Sequence, residues 1–159
     1  MGLSAQRRWA SANLSLMKLD EVSARSRLAA YDHGVLATVH PDRGVDTVPV
    51  VYAVDTEGYV GVPIDRVKPK VSVQLQREAN LTADPRASLM VQQWDSDDWS
   101  RLWWVRVELR WQGLAHEREG VLADLLAARY PQYADKPFSH VLVFRIDSIG
   151  GWAASEITG

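Results

Sequence analysis

The chain contains no cysteine, which excludes a disulfide scaffold and a thiolate metal site and fits a reducing cytoplasm. It also lacks a charge bias. Eighteen Lys and Arg stand against twenty Asp and Glu, for a net charge of −2, so the basic surface expected of a nucleic-acid binder is absent. No run approaches the ~20 apolar residues of a membrane span. The opening MGLSAQRRWASANLSLMKLDEV carries Arg7-Arg8 without the apolar segment an export signal needs, and Gln6 stands where a myristoylation signal has Ser or Thr. A soluble cytoplasmic domain is expected. Phosphate-loop, dinucleotide-fingerprint and nucleophile-elbow motifs are missing as well. His33, His40, His116 and His140 do not have metal-ligand spacing. Asp95, Asp97 and Asp98 begin like a calcium loop, but Trp99 and Ser100 break the pattern. Nothing resembles a nucleophile activated by a base. If the chain is an enzyme, a cofactor carries the chemistry.

What is present is one domain's worth of sequence, 159 residues with 47 % apolar content. Residues 1–19 read as an arm and 20–159 as the domain. Residues 20–32 read as a helix capped by Asp20, with Val22, Leu28 and Ala29 as its apolar stripe and Gly34 as its stop. Strands follow at 34–40, 45–55 and 59–64, joined by Gly-containing turns. Over 69–81, alternation suggests a strand and a four-residue repeat suggests a helix; propensity and Pro69 at the first turn favour the helix. Further strands are expected at 87–94, 101–116 and 139–147. A last helix covers 117–129, with Val121, Leu122, Leu125 and Leu126 facing inward. Six strands and three helices suggest an antiparallel barrel.

Three features point to a ligand. IDRVKPK (64–70) places Arg66, Lys68 and Lys70 before an expected helix start; this reads either as a phosphate site or as a solvated basic turn. TVPVV (47–51) interrupts a strand with Pro49, which marks an edge, a bulge or a place where a flat ring lies against backbone. DDWSRLWWVRVELRWQG (97–113) holds four of the seven tryptophans. Alternation sends Trp103 and Trp111 to one face with Val105, Val107 and Leu109, and leaves Trp104 on the polar face beside Arg106. An aromatic there suits a homodimer contact or a ring-stacking site.

The run VPIDRVKPKVSVQLQREANLTADPRASLMVQQWDSDDWSRLWWVRV (62–107) resembles the pyridoxamine-phosphate-oxidase-like split-barrel proteins, in particular the actinobacterial branch that uses the deazaflavin coenzyme F420. GVLATVHPDRGVDTVPVVYAVD (34–55), LLAARYPQY (125–133) and Gly151-Trp152 are similar to it too, so the resemblance spans residues 20–153. It implies a mainly β fold, a six-stranded antiparallel split barrel that forms a homodimer with two cofactor sites at the interface. It implies an oxidoreductase moving a hydride between F420, or alternatively FMN, and a small organic acceptor; a carrier without turnover is the other reading. Lys68 and Lys70 would meet the cofactor phosphate with Arg66 near them. Pro49, Val50 and Val51 would lie along the ring, Pro63 and Ile64 on the bordering strand, and Trp99 would approach from the turn. Arg77 and Asn80 match the family run without an assigned contact. The C-terminal substrate pattern of the vitamin-pathway oxidases is absent.

Overall fold

The structure is a computed structural model that describes residues 18–66 and 75–154. In chain order its elements are α1 (Glu21–Ala30), β1 (His33–His40), β2 (Gly44–Val51), β3 (Ala53–Val54), β4 (Tyr59–Asp65), α2 (Gln76–Ala83), β5 (Arg86–Gln93), β6 (Trp103–Trp111), α3 (Glu119–Arg129) and β7 (Phe138–Ala153). The strands form one antiparallel sheet in the order β2-β1-β5-β6-β7-β4-β3. It curls around a core that includes Leu36, Val60, Val62, Leu89, Val105, Val107 and Phe144.

Seven strands replace the expected six because the strand read over 45–55 breaks at Tyr52. On one side of the break, β2 pairs with β1. On the other, β3 pairs with β4. The two outermost strands of the sheet are therefore consecutive in the chain, and Tyr52 is the single residue that carries the backbone from one edge to the other. Tyr52 is fully buried. Its hydroxyl donates to the Leu28 carbonyl of α1 at 2.5 Å, and its own carbonyl lies 2.9 Å from the Tyr130 hydroxyl.

Other boundaries also moved. β7 runs on to Ala153, beyond the expected end at residue 147. Its first half pairs with β4 and its second with β6. The pairing slips by one residue beside Glu108, so Asp147 is a bulge and not a strand end. Gly151 suits a crowded position: a Cβ there would come within 2.6 Å of the Trp104 carbonyl oxygen. The Leu19 amide donates to the Gly151 carbonyl at 3.0 Å, so residues 18 and 19 already join the sheet. Gly34, expected to stop α1, lies inside β1 against the Met90 carbonyl.

Helix α1 begins as expected, with the Asp20 carboxylate accepting from the Ser23 amide at 2.7 Å. Its buried residues are Ala24 and Leu28, while Val22 faces solvent. Helix α2 runs from Gln76 after an extended Leu75; the expected start at Pro69 lies outside the described residues. In α3 only Leu122 and Leu126 are buried; Val121 and Leu125 face outward. Leu122 and Leu126 close a second small core with Ala53, Phe138, Val141 and Val143. Strand β6 alternates as expected over Trp103, Val105, Val107 and Leu109, all buried, with Trp111 partly so.

Replacing Tyr52 by Phe leaves the packing and removes the hydroxyl, stranding the buried Leu28 carbonyl. The expected cost is about 1–3 kcal/mol, the usual penalty for an unsatisfied buried group. Urea unfolding of the variant measures it, and an unchanged midpoint contradicts the role given to this hydrogen bond.

Candidate functional site

Among the described residues, pairing stops at β2 on one side and at β3 and β4 on the other, and the sheet does not close there. A cleft of about 290 Å³ opens along this split. It is lined by His33, Pro49, Val50, Val51, Val62, Pro63, Asp65, Arg77 and Tyr133. The edge position of β2 explains how Pro49 is tolerated: it lacks an amide hydrogen for a ladder on its outer side. Pro49 sits opposite Val35, and His33 opposite Val51.

Helix α2 braces the cleft. Fully buried Asn80 donates to Thr38 Oγ1 of β1 and to Asp46 Oδ2 of β2, both at 2.9 Å. Its carbonyl oxygen accepts from Gln76 Nε2 at 3.0 Å. Glu78 reaches the other side and meets His140 Nε2 of β7 at 2.8 Å. β7 at that point pairs with Ile64 of β4. The helix therefore spans from the β2 edge to the β4 edge, and Arg77 lies between the two anchors.

Arg77 is the unusual group. Its Nε is buried without a hydrogen-bond partner, and no carboxylate lies within ion-pair distance of it among the described residues. Burial lowers its pKa, and the carboxylates of Glu78 and Asp65 oppose that shift. An arginine remains charged through such shifts. The result is a partly buried cation with unused donors. A second cleft of about 320 Å³, lined by Thr38, Arg43, Asp46, Thr47, Val48, Leu75 and Gln76, meets the first at Arg77. Near Arg77, the Tyr133 hydroxyl donates to Asp65 Oδ1 at 2.9 Å. Burial first, then that hydrogen bond, push the Tyr133 hydroxyl up to about 12.

Of the residues singled out in the sequence, Pro49, Val50, Val51 and Pro63 meet in this cleft. Ile64 does not: alternation turns it into the core, where it is 3 % exposed. Arg66 is exposed at the end of β4, its amide bonded to the Pro137 carbonyl. Lys68 and Lys70 lie outside the described residues. Trp99 is exposed on the turn between β5 and β6 and packs on Trp94, with ring centroids 5.7 Å apart. It does not line the cleft of its own chain. His33, Asp65, Arg77 and Tyr133 were not assigned to a site by sequence reasoning. They come from four separate elements, and only the match of Arg77 to the family run singled any of them out. Among the described residues no acidic or histidine cluster fits a metal, and no helix is long and apolar enough to cross a membrane.

No family model matches the chain, and no curated protein matches it significantly in sequence. Solved structures do match in fold. An FAD-binding protein of Mesorhizobium loti superposes with a TM-score of 0.65 at 18 % identity, over 87 % of this chain and 97 % of that one. An FMN-binding protein of Syntrophomonas wolfei gives 0.60 at 20 % identity, over 92 % of each. A candidate pyridoxamine 5′-phosphate oxidase of Corynebacterium glutamicum gives 0.51 at 17 % identity, over 87 % and 94 %. Heme-binding proteins share the fold too. The chain has the split-barrel fold of these proteins.

The Tyr133–Asp65 pair has a pH signature. A raised pKa means that this contribution to stability is fully present below pH 10.0, the ordinary tyrosine value, and is lost as pH rises toward about 12. Asp65→Asn should bring the Tyr133 titration down toward the ordinary value. Ultraviolet difference titration against Tyr133→Phe reads it, and an unshifted curve contradicts the hydrogen bond.

Proposed function

We propose that the split binds a flavin-type redox cofactor by its ring and phosphate, and that the chain is an oxidoreductase acting on a small organic acceptor. Coenzyme F420 is the cofactor that the sequence resemblance favours. FMN is the alternative, supported by the flavin-binding proteins that share the fold. The observation that carries the reading is Arg77, an unpartnered, partly buried cation beside an apolar cleft at an open sheet edge.

The residues present fit such a group. Pro49, Val50, Val51, Val62 and Pro63 offer an apolar wall to a flat ring, and exposed peptide groups of the β2 edge offer it polar contacts. A phosphate would satisfy the orphaned Arg77 donors and receive a planar two-point contact. Lys68 and Lys70 are proposed to join it, with Arg66 in support. When bound, the cofactor supplies a hydride donor or acceptor. The chain's own residues hold the phosphate, position the acceptor and keep water from the apolar wall.

A second copy of the chain is proposed to complete the molecule. Trp104 and Trp152 are paired neighbours on the outer face of β6 and β7, beside Arg106 and Glu108, around a hollow of about 430 Å³. Covering this face would bury both rings, and the partner's turn would bring Trp99 toward the cofactor.

Titration of the pure protein with FMN and with F420, followed by absorbance and fluorescence, tests the reading. Tight binding with bleaching or reoxidation by an added acceptor identifies an oxidoreductase. Tight binding without turnover on any acceptor identifies a carrier. No binding of either cofactor at micromolar concentration contradicts the reading. Arg77→Ala should weaken binding by about 1.5–3 kcal/mol, the range for hydrogen bonds to charged groups, with little loss of stability. Trp104→Arg should give a monomer by sedimentation; a wild type already monomeric contradicts the dimer.

A further inference from the structure

Resting on that cofactor reading, we propose that His33 exchanges a proton with the acceptor reduced in the cleft and that Asp32 is its positioning residue. His33 is the first residue of β1 and pairs with Val51, at the Tyr52 end of the split. Arg77 marks the opposite end, since the second cleft that it shares contains Thr47 and Val48. From Val48 to Val51 an extended strand advances about 10 Å. A ligand whose anion is held by Arg77 and whose ring lies along Pro49–Val51 therefore points its other end toward His33.

The imidazole is set for one tautomer. Its Nδ1 lies 2.6 Å from Asp32 Oδ1. That hydrogen bond holds the Asp32 carboxyl below the usual carboxylate range, so Asp32 is the acceptor and Nδ1 carries the hydrogen. Nε2 has no hydrogen-bond partner among the described residues and is the nitrogen left for a ligand. The main chain beneath the pair is fixed from α3 and the residue that follows it: Arg129 Nη2 donates to the Tyr31 carbonyl, and the Tyr130 hydroxyl reaches the Asp32 carbonyl. The Tyr31 ring lies 5.4 Å from the imidazole. The groups facing His33 are thus Asp32 and Tyr31 beside it, Arg129 and Tyr130 from the end of α3, and Asp65, Arg77 and Tyr133 along the cleft. Both members of the His33–Asp32 pair are exposed, and an exposed ion pair adds little to stability. What this geometry provides is a fixed tautomer on a fixed backbone at the cleft's wet end.

The step balances as follows. With menadione as acceptor, the hydride that a bound cofactor would supply brings two electrons and one hydrogen and would leave an enolate oxygen in need of one proton. The enolate so formed takes the proton from Nε2 of the His33 imidazolium, which leaves the neutral ring with its hydrogen on Nδ1 facing Asp32, and His33 recovers a proton from water. Acceptor and cofactor exchange two electrons, and the proton comes from solvent through the imidazole.

His33→Gln and Asp32→Asn test the proposal with menadione as acceptor and p-nitrophenol as a mimic of the enolate. Nitrogen NMR of the wild type, recorded at a pH where the ring is neutral, should show the hydrogen on Nδ1, and Asp32→Asn should shift it toward a tautomer mixture. His33→Gln should bind FMN or F420 within about twofold of wild type, lose tenfold or more in menadione reduction, flatten the pH profile and bind p-nitrophenol at least fivefold more weakly. Wild-type turnover with an unchanged pH profile in His33→Gln overturns the proposal and leaves the cofactor reading standing. A parallel loss of cofactor affinity overturns it too, since His33 is then a wall of the binding site. If the wild type binds neither cofactor, the cofactor reading fails and this proposal with it.

Discussion

The structure depends on how the chain crosses its own split at Tyr52. A curled sheet with two free edges must either pair them or hold them apart. Here consecutive strands occupy the two edges, and the residue between them is pinned to α1 by a buried hydrogen bond and touched from the far side by Tyr130. The crossing brings the edges together at one end of the split without letting them zip. The unpaired backbone that results is ordinarily a liability in a β protein. In this chain it is half enclosed and lined by proline and valine.

The other end of the split is held by α2. Two anchors within a single helical turn, Asn80 to the β2 side and Glu78 to the β7 side, leave Arg77 on the helix face between them. A buried donor without a partner costs about 1–3 kcal/mol. Its persistence beside an apolar cleft is the kind of local cost that a ligand's negative charge would offset. The cleft therefore has a cationic end at α2 and an imidazole end at Tyr52, and the β2 edge is the ruler between them.

Much of this was legible in the sequence. The alternation through Trp103–Leu109 gave a buried face, Pro49 marked an edge, and Asp20 capped its helix. Each is a local signal with one dominant physical cause. The Tyr52 break was not legible, since VDTVPVVYAVD reads as one strand whose marked interruption is Pro49, and only the wider topology demands a crossing at Tyr52. The end of β7 was hidden because Asp147, Ser148, Gly150 and Gly151 look like a turn; they serve as a bulge and a close approach instead. Helix α2 is described from Gln76, and the part of the expected helix upstream of Leu75 lies outside the described residues. Within the site, Pro49 stood out as the interruption of an apolar strand, and Pro63 was singled out by the resemblance alone. Arg77 matched the family run without an assigned contact, and His33 was set aside once metal spacing failed. Neither the orphaned guanidinium nor the Asp32 partner geometry exists until the elements pack.

The central claim is that the split, and not another surface, receives the cofactor. Amide hydrogen exchange with and without saturating FMN or F420 tests it most directly. The account predicts protection concentrated at residues 49–51, 62–65 and 76–80. Protection confined to other surfaces, or none at saturation, contradicts it.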